Sequence, residues 1–266
     1  MIIDAIPVWA LFIVTAALVV FTLEIGFRVG KRVRRRSTEE RESPVSAIAG
    51  TILGLLSFML AFTFSIASDR YDRKKSLVRE EANVLRTVWH RSDFLQEPDR
   101  AKTKTLLREY LDHRIAFHES GNRETADPSL ADSVHKQHEM WDIAVTNVRK
   151  DPFLNSDIGA MYVESVNQIA DVHALRVNQG LQARIPSALW SVLYVLMFLG
   201  MIGLGYQTAI ADSSRSRASF LLAFAFSLVI ALIAALDYPM SRFVRVSHEP
   251  LVMLQREMKD TPDTTR

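Results

Sequence analysis

"LSFMLAFTFSIASDRYDRKK", residues 56–75, begins as a membrane helix and ends as a dense charge cluster. No Gly or Pro interrupts it between Ser57 and Lys75, so nothing marks a helix end where the apolar half meets the charged half. Three hydroxyls, Thr63, Ser65 and Ser68, sit in or beside the apolar half, and a helix facing only lipid does not need them. The simplest reading is one helix that crosses a bilayer and runs on into a polar helical region. Ser65 then belongs to a wet face. Thr63 and Ser68 either join it or bond to their own helix backbone.

Gly54, Phe58 and Phe62 are spaced i, i+4, i+8 and share one stripe of that helix, which Ser65 and Asp69 continue. Such a stripe packs against another helix, faces lipid, or lines a pore. In a pore, apolar rings gate by dewetting and charges at the mouth bias which ions enter. Arg70, Asp72 and Arg73 are the candidate mouth charges. One helix cannot enclose a pore, so this last reading requires a homo-oligomer.

Working outward, four stretches reach the length of about 20 apolar residues that a bilayer demands: roughly 6–27, 45–68, 186–206 and 218–236. The first has no basic segment before it and no small-residue cleavage site after it, so it reads as a retained span rather than a signal peptide. The chain divides into a first pair of spans with a basic linker (1–68), a polar helical bundle (69–185), a second pair of spans (186–236) and a polar C-terminal tail (237–266). The expected fold is all-α, a four-span integral membrane protein.

The polar region reads as four helices. The first continues the second span, with Leu77, Leu85, Val88 and Trp89 at helical spacing. The next has Pro98 in its first turn and an apolar face of Leu106, Leu107, Tyr110, Leu111 and Ile115. Gly121 to Pro128 reads as a loop, with Asp127 capping a third helix and Pro128 at its first position. The fourth runs from an Asn/Ser/Asp cluster at 155–157 to Pro186.

Across the first and last of these helices, Glu81 and Asn83 face the polar set Asp171, His173 and Arg176. The two faces either meet, with Glu81 or Asn83 pairing to one of the three, or each is solvated. If buried, they must satisfy one another, because an unpaired buried charge is costly.

Several function classes have no carrier. The chain lacks cysteine, which excludes disulfides and thiolate metal sites. "HKQHE", His135 to Glu139, offers two His at i, i+3 without the HExxH pattern and reads as a solvated face, so no metal is expected. No nucleophile motif or phosphate-cradling Gly loop is present, so neither enzymatic activity nor a cofactor is expected. The net charge of +2 points to no nucleic-acid partner.

"LAFTFSIASDRYDRKKSLVREEANVLRT" (60–87), "LLREYLDHR" (106–114), "DVHALR" (171–176), "RIP" (184–186) and "DYPMSRFVRVSHEPL" (237–251) resemble a bacterial family of bestrophin-like membrane proteins. More distantly, they resemble the bestrophin channels. That resemblance implies a homopentamer in the lipid bilayer, with the second span lining a central pore for small inorganic ions, and it points to anions. Phe62 corresponds to the shared Phe of the channels' apolar neck, with Phe58 one turn back. Gly54 departs from the pattern, since a neck needs bulk there, and Met240 stands where the channels favour Phe. No calcium-binding acidic cluster follows Pro239. The expected function is an oligomeric ion channel in the cell inner membrane. The alternative is a membrane sensor or scaffold whose bundle binds a ligand or partner, with no pore.

Orientation receives two opposed indications. The first linker carries Arg28, Lys31, Arg32, Arg34, Arg35, Arg36 and Arg41, which the positive-inside rule places in the cytoplasm, leaving the bundle outside. The bestrophin resemblance implies a cytoplasmic bundle. With no native Cys, single cysteines decide it in intact cells treated with an impermeant thiol reagent. Labelling of Ser120→Cys alone is the outcome expected from the charge pattern; labelling of Ser43→Cys alone reverses the axis.

Overall fold

The computed structural model describes residues 7–35, 42–120, 123–150, 157–179, 184–211, 218–238 and 244–260. Among these residues there is no strand. Eight α-helices follow one another: α1 (Val8–Arg34), α2 (Glu42–Arg91), α3 (Asp99–Ser120), α4 (Arg123–Lys150), α5 (Asp157–Val177), α6 (Ser187–Ile210), α7 (Ala218–Asp237) and α8 (Glu249–Asp260). A 3-10 turn, Ser92–Phe94, ends α2. The all-helical expectation holds. Helices α1, α2, α6 and α7 are each long and apolar enough to cross a membrane. At about 1.5 Å per residue, α2 is roughly 75 Å long, far more than a bilayer needs.

The chain forms two compact units. One comprises Met1–Tyr71 with Arg184–Val244, the other Asp72–Ala183 with Arg245–Arg266. The first holds α1, α6, α7 and the apolar part of α2. Its core joins Leu11, Val19, Leu56, Leu60, Leu193, Met197 and Ile233. Pro7 and Pro186 stand immediately before α1 and α6, and their carbonyls accept the first helical hydrogen bonds, from Ala10 and Leu189. Lys31, Arg32 and Arg34 in the last turn of α1 offset the negative end of its dipole.

Helices α1 and α6 touch backbone to backbone. A Cβ added at Gly26 would lie 2.1 Å from the Ile202 carbonyl oxygen, and one at Gly205 would lie 2.2 Å from that of Leu23. Gly26 and Gly30, at i, i+4, form the small-residue pair that lets membrane helices approach this closely. The Thr15 and Tyr194 hydroxyls hydrogen bond across the same pair of helices at 3.1 Å. Helix α2 meets small residues of α6, with Leu53 against Gly200 and Ala49 against Gly203.

The second unit holds the polar part of α2 together with α3, α4, α5 and α8. Its core includes Leu85, Trp89, Leu107, Tyr110, Leu111, Met140, Tyr162 and Ile169. Trp89 is buried beneath the cations of Lys104 and Arg108, at 5.0 and 4.8 Å from its ring centre. Two readings need correction. The C-terminal tail is not simply polar: Leu251, Leu254 and Met258 recur on one side of α8 and are buried in this core. Helix α4 begins at Arg123, so Pro128 lies inside it rather than at its first position. Proline's fixed φ suits a helix, and near the N-terminus the missing N–H removes only one early backbone bond.

Gly26→Ala and Gly205→Ala should each destabilise the protein by about 3 kcal/mol or more, because the neighbouring atoms are backbone and cannot turn aside. Gly54→Ala should leave stability nearly unchanged, since a Cβ there meets nothing within 4 Å. Thermal melting of the purified protein in mild detergent measures all three.

Candidate functional site

The stripe on α2 is exposed along its length in the protomer. Gly54, Phe58, Phe62, Ser65, Asp69, Asp72 and Arg73 all face away from the residues that α2 buries, which are Ala49, Leu56, Leu60, Thr63 and Ala67. Phe58 is 64% exposed and Phe62 52%, as open as Trp9, Phe21 and Phe220 on the other spans. Of the hydroxyls, Thr63 lies on the packed side and donates to the Met59 carbonyl at 2.7 Å, whereas Ser65 is exposed. Arg70 leaves the stripe. It turns to the opposite side of the helix, where its Nε lies 3.9 Å from the Asp237 carboxylate.

Asp237 gathers three distant segments at one end of the membrane unit. Its two carboxylate oxygens accept the Ile185 backbone N–H at 3.1 and 3.3 Å. Arg184 donates to its carbonyl at 2.9 Å and lies over the Tyr238 ring. A carboxylate at the C-terminal end of a helix opposes the helix dipole, and these donors offset that repulsion. "RIP" and the start of "DYP" are therefore two halves of one joint; Pro239 and Met240 lie outside the described residues.

In the bundle, Glu81 is 1% exposed and still fully engaged. Its Oε1 accepts from Tyr110 Oη at 2.8 Å and from Arg114 Nε at 2.9 Å, and its Oε2 accepts from Arg176 Nη1. Gln137 donates to Tyr110 Oη at 3.4 Å, and Arg176 Nη2 meets His248 Nε2 at 2.7 Å. The structure thus brings Glu81 and Arg176 together, with His173 buried nearby. Asn83 and Asp171 stay on exposed faces, where Asn83 accepts from Arg86 and Asp171 from Asn167. Tyr110, Arg114, Gln137 and His248 complete the cluster. Tyr110 reads in sequence as one more apolar-face residue, and the cluster forms only when α2 to α5 and the segment before α8 converge.

Burial raises the Tyr110 phenol above its ordinary range and lowers Arg176 to about 10, which leaves its guanidinium charged at neutral pH. His173 is lowered from 6.5 to about 4, first by burial and second by the charge of Arg114. On α4, His135 and His138 are exposed, and His135 lies 3.4 Å from Glu139. Among the described residues, no group of three or more His, Asp or Glu side chains is placed to hold a metal ion.

These features define a four-span, all-helical membrane protein with a helical bundle assembled from the chain between the span pairs and from its C-terminal segment. The chain belongs to the bestrophin-like domain family, whose model matches residues 11–251. Its fold is similar to that of a bacterial bestrophin homolog from Klebsiella pneumoniae, solved as a point mutant. The TM-score is 0.64 at 13% identity, over 94% of this chain and 99% of that one. No curated protein matches the chain in sequence.

The His173 shift gives the bundle a pH dependence of known sign. An unfolded chain takes up this proton near pH 6.5 and the folded chain only near pH 4, so between those values falling pH favours unfolding. At about 1.4 kcal/mol per unit, His173 should account for roughly 3 kcal/mol of stability lost from pH 7 to pH 4. Denaturant melts at both pH values should show that much less acid sensitivity in His173→Phe than in the wild type.

Proposed function

We propose that the protein is an oligomeric ion channel of the cell inner membrane, with its pore lined by α2. The observation that carries this reading is the exposed stripe Gly54–Phe58–Phe62–Ser65–Asp69, opposite the side of α2 that packs on α6. A lone protomer would turn this stripe to lipid for much of its length. Phe58 and Phe62 tolerate lipid; the Ser65 hydroxyl and the charges that follow favour water. A shared central axis accommodates both, with an apolar constriction followed by a wet vestibule. Family membership and the resemblance to pentameric bestrophin channels support the same arrangement.

Phe58 and Phe62 form the constriction in this reading, and Gly54 leaves the channel wide one turn before it. The mouth is not basic. With Arg70 drawn to Asp237, the exposed residues are Asp69, Asp72 and Arg73, and Lys75 lies 3.8 Å from Asp72. The cargo in this reading is small inorganic ions, as family membership suggests, and any preference for anions has to arise elsewhere than in this ring of charge.

Native mass in mild detergent should be that of a pentamer. Reconstituted in planar bilayers, Phe62→Ala should conduct several-fold more than the wild type, because a smaller side chain wets and widens the constriction. A confirmed pentamer that stays electrically silent as wild type and as Phe62→Ala would falsify the channel reading. A dimer would favour a sensor or scaffold whose bundle binds its ligand.

A further inference from the structure

Glu24 is the one charged residue in the four apolar stretches of the chain. A carboxylate within a membrane span is costly, and a residue kept there at such a cost calls for a partner. Its Oε1 accepts from Arg28 Nε, one turn further along α1, at 2.7 Å. Lys31 and Arg32 follow in the last turn, so the pair stands where α1 leaves the hydrocarbon. The Glu24 side chain is 28% exposed and that of Arg28 75%, so a charge of each sign is presented side by side to the exterior.

Glu24 also stands at one end of a groove. Helices α1 and α7 flank an open apolar hollow of about 690 Å³, within the size range of small-molecule sites. Its lining sets the small residues Ala16, Ala17 and Ala223 among the rings of Phe21, Phe220 and Phe224. The Phe12 and Phe224 rings meet edge to face at 5.5 Å. Phe12 and Glu24 are the first and last α1 residues of the lining. At about 1.5 Å per residue the groove is roughly 18 Å long. That is close to one leaflet, about half of a hydrocarbon core roughly 30 Å thick.

We propose that this groove retains a phospholipid with a primary-ammonium headgroup. One acyl chain lies between α1 and α7, the ammonium donates to Glu24, and the phosphate accepts from Arg28. Ammonium and phosphate are joined by a short ethylene link in such a lipid, so both reach an ion pair whose members are one turn apart. A carboxylate has about four acceptor positions, and the Arg28 bond does not exhaust them. A purely anionic headgroup would meet the Glu24 charge unfavourably, and a trimethylated one has no N–H to donate. A second copy of the chain fits the groove less well, because none of its apolar stretches holds a cation to set against Glu24. The groove is also one leaflet long, shorter than a spanning helix would need. The site lies within the membrane unit, away from the Phe58–Phe62 stripe, and does not depend on the channel reading.

The test is thermal melting of the full-length protein, washed free of lipid in mild detergent. Phosphatidylethanolamine, phosphatidylcholine or phosphatidylglycerol with the same acyl chains is then added back. A ligand that binds only the folded state raises the melting temperature with the logarithm of its concentration above its dissociation constant. In the wild type, phosphatidylethanolamine should do so at a concentration several-fold lower than the other two. Glu24→Gln keeps the size of the side chain, loses its charge, and should bring phosphatidylethanolamine level with phosphatidylcholine. Ala17→Phe fills the groove and should weaken the response to phosphatidylethanolamine several-fold, with the native mass of the protein unchanged. Should Glu24→Gln not fold, Ala17→Phe decides alone. Equal responses of the wild type to all three lipids overturn the proposal, as does a Glu24→Gln variant that keeps the wild-type preference. So does an Ala17→Phe variant that keeps its lipid response; if its native mass falls as well, a second copy of the chain occupies the groove.

Discussion

In lipid, every backbone amide has to find its partner inside its own helix, and this constraint governs α2 more than any other element. A helix that enters the bilayer near Glu42 cannot end in the hydrocarbon, and nothing in its sequence ends it at the surface either. It runs to Arg91. The same element therefore has to present an apolar exterior in one part and a charged one in the next. It does so by keeping one side for packing throughout: Ala49, Leu56, Leu60, Thr63 and Ala67 in the membrane unit, then Val78, Ala82, Leu85 and Trp89 in the bundle. The opposite side is left open, and that is where the unusual residues collect.

Two polar joints fix what packing alone leaves loose. Asp237 ties the entrance of α6 to the exit of α7 and draws Arg70 across from α2. Glu81 ties α2 to α3 and α5, and through Arg176 to the segment ahead of α8. Each uses a buried or half-buried carboxylate with several donors, the only form in which such a charge is tolerated away from water. A carboxylate with several directional partners also specifies register more sharply than apolar contact does, because a shift of one residue would strand it.

Much of this was legible in the chain. Hydropathy marks the four spans, and the missing breaker between Ser57 and Lys75 announces the long helix. The stripe from Gly54 to Asp69 follows from helical spacing alone. Glu81 and Arg176 could be suspected because two polar faces stood on helices that had to pack. Other features were hidden for physical reasons. Arg70 and Arg73 look alike in sequence, and only the position of Asp237, far along the chain, shows which of them turns inward. Gly26 and Gly205 read as ordinary small residues until the α1–α6 contact gives each a carbonyl oxygen as neighbour. Helix α8 carries its apolar residues at i, i+3 and i+7 over a single short stretch, which a surrounding charged background easily masks.

The composition of the bundle has a bearing on how the molecule is made. Its core needs Leu251, Leu254 and Met258, and the partner that His248 gives Arg176 comes from the same late segment. Both are synthesised after the second pair of spans. As the chain leaves the ribosome, α3, α4 and α5 emerge well before their last helix exists, and domains completed early normally fold early. Here the bundle must wait, with part of its apolar surface uncovered, until the membrane has accepted the final span. Insertion and bundle folding are thereby placed in a fixed order, and a chain that fails the first cannot finish the second.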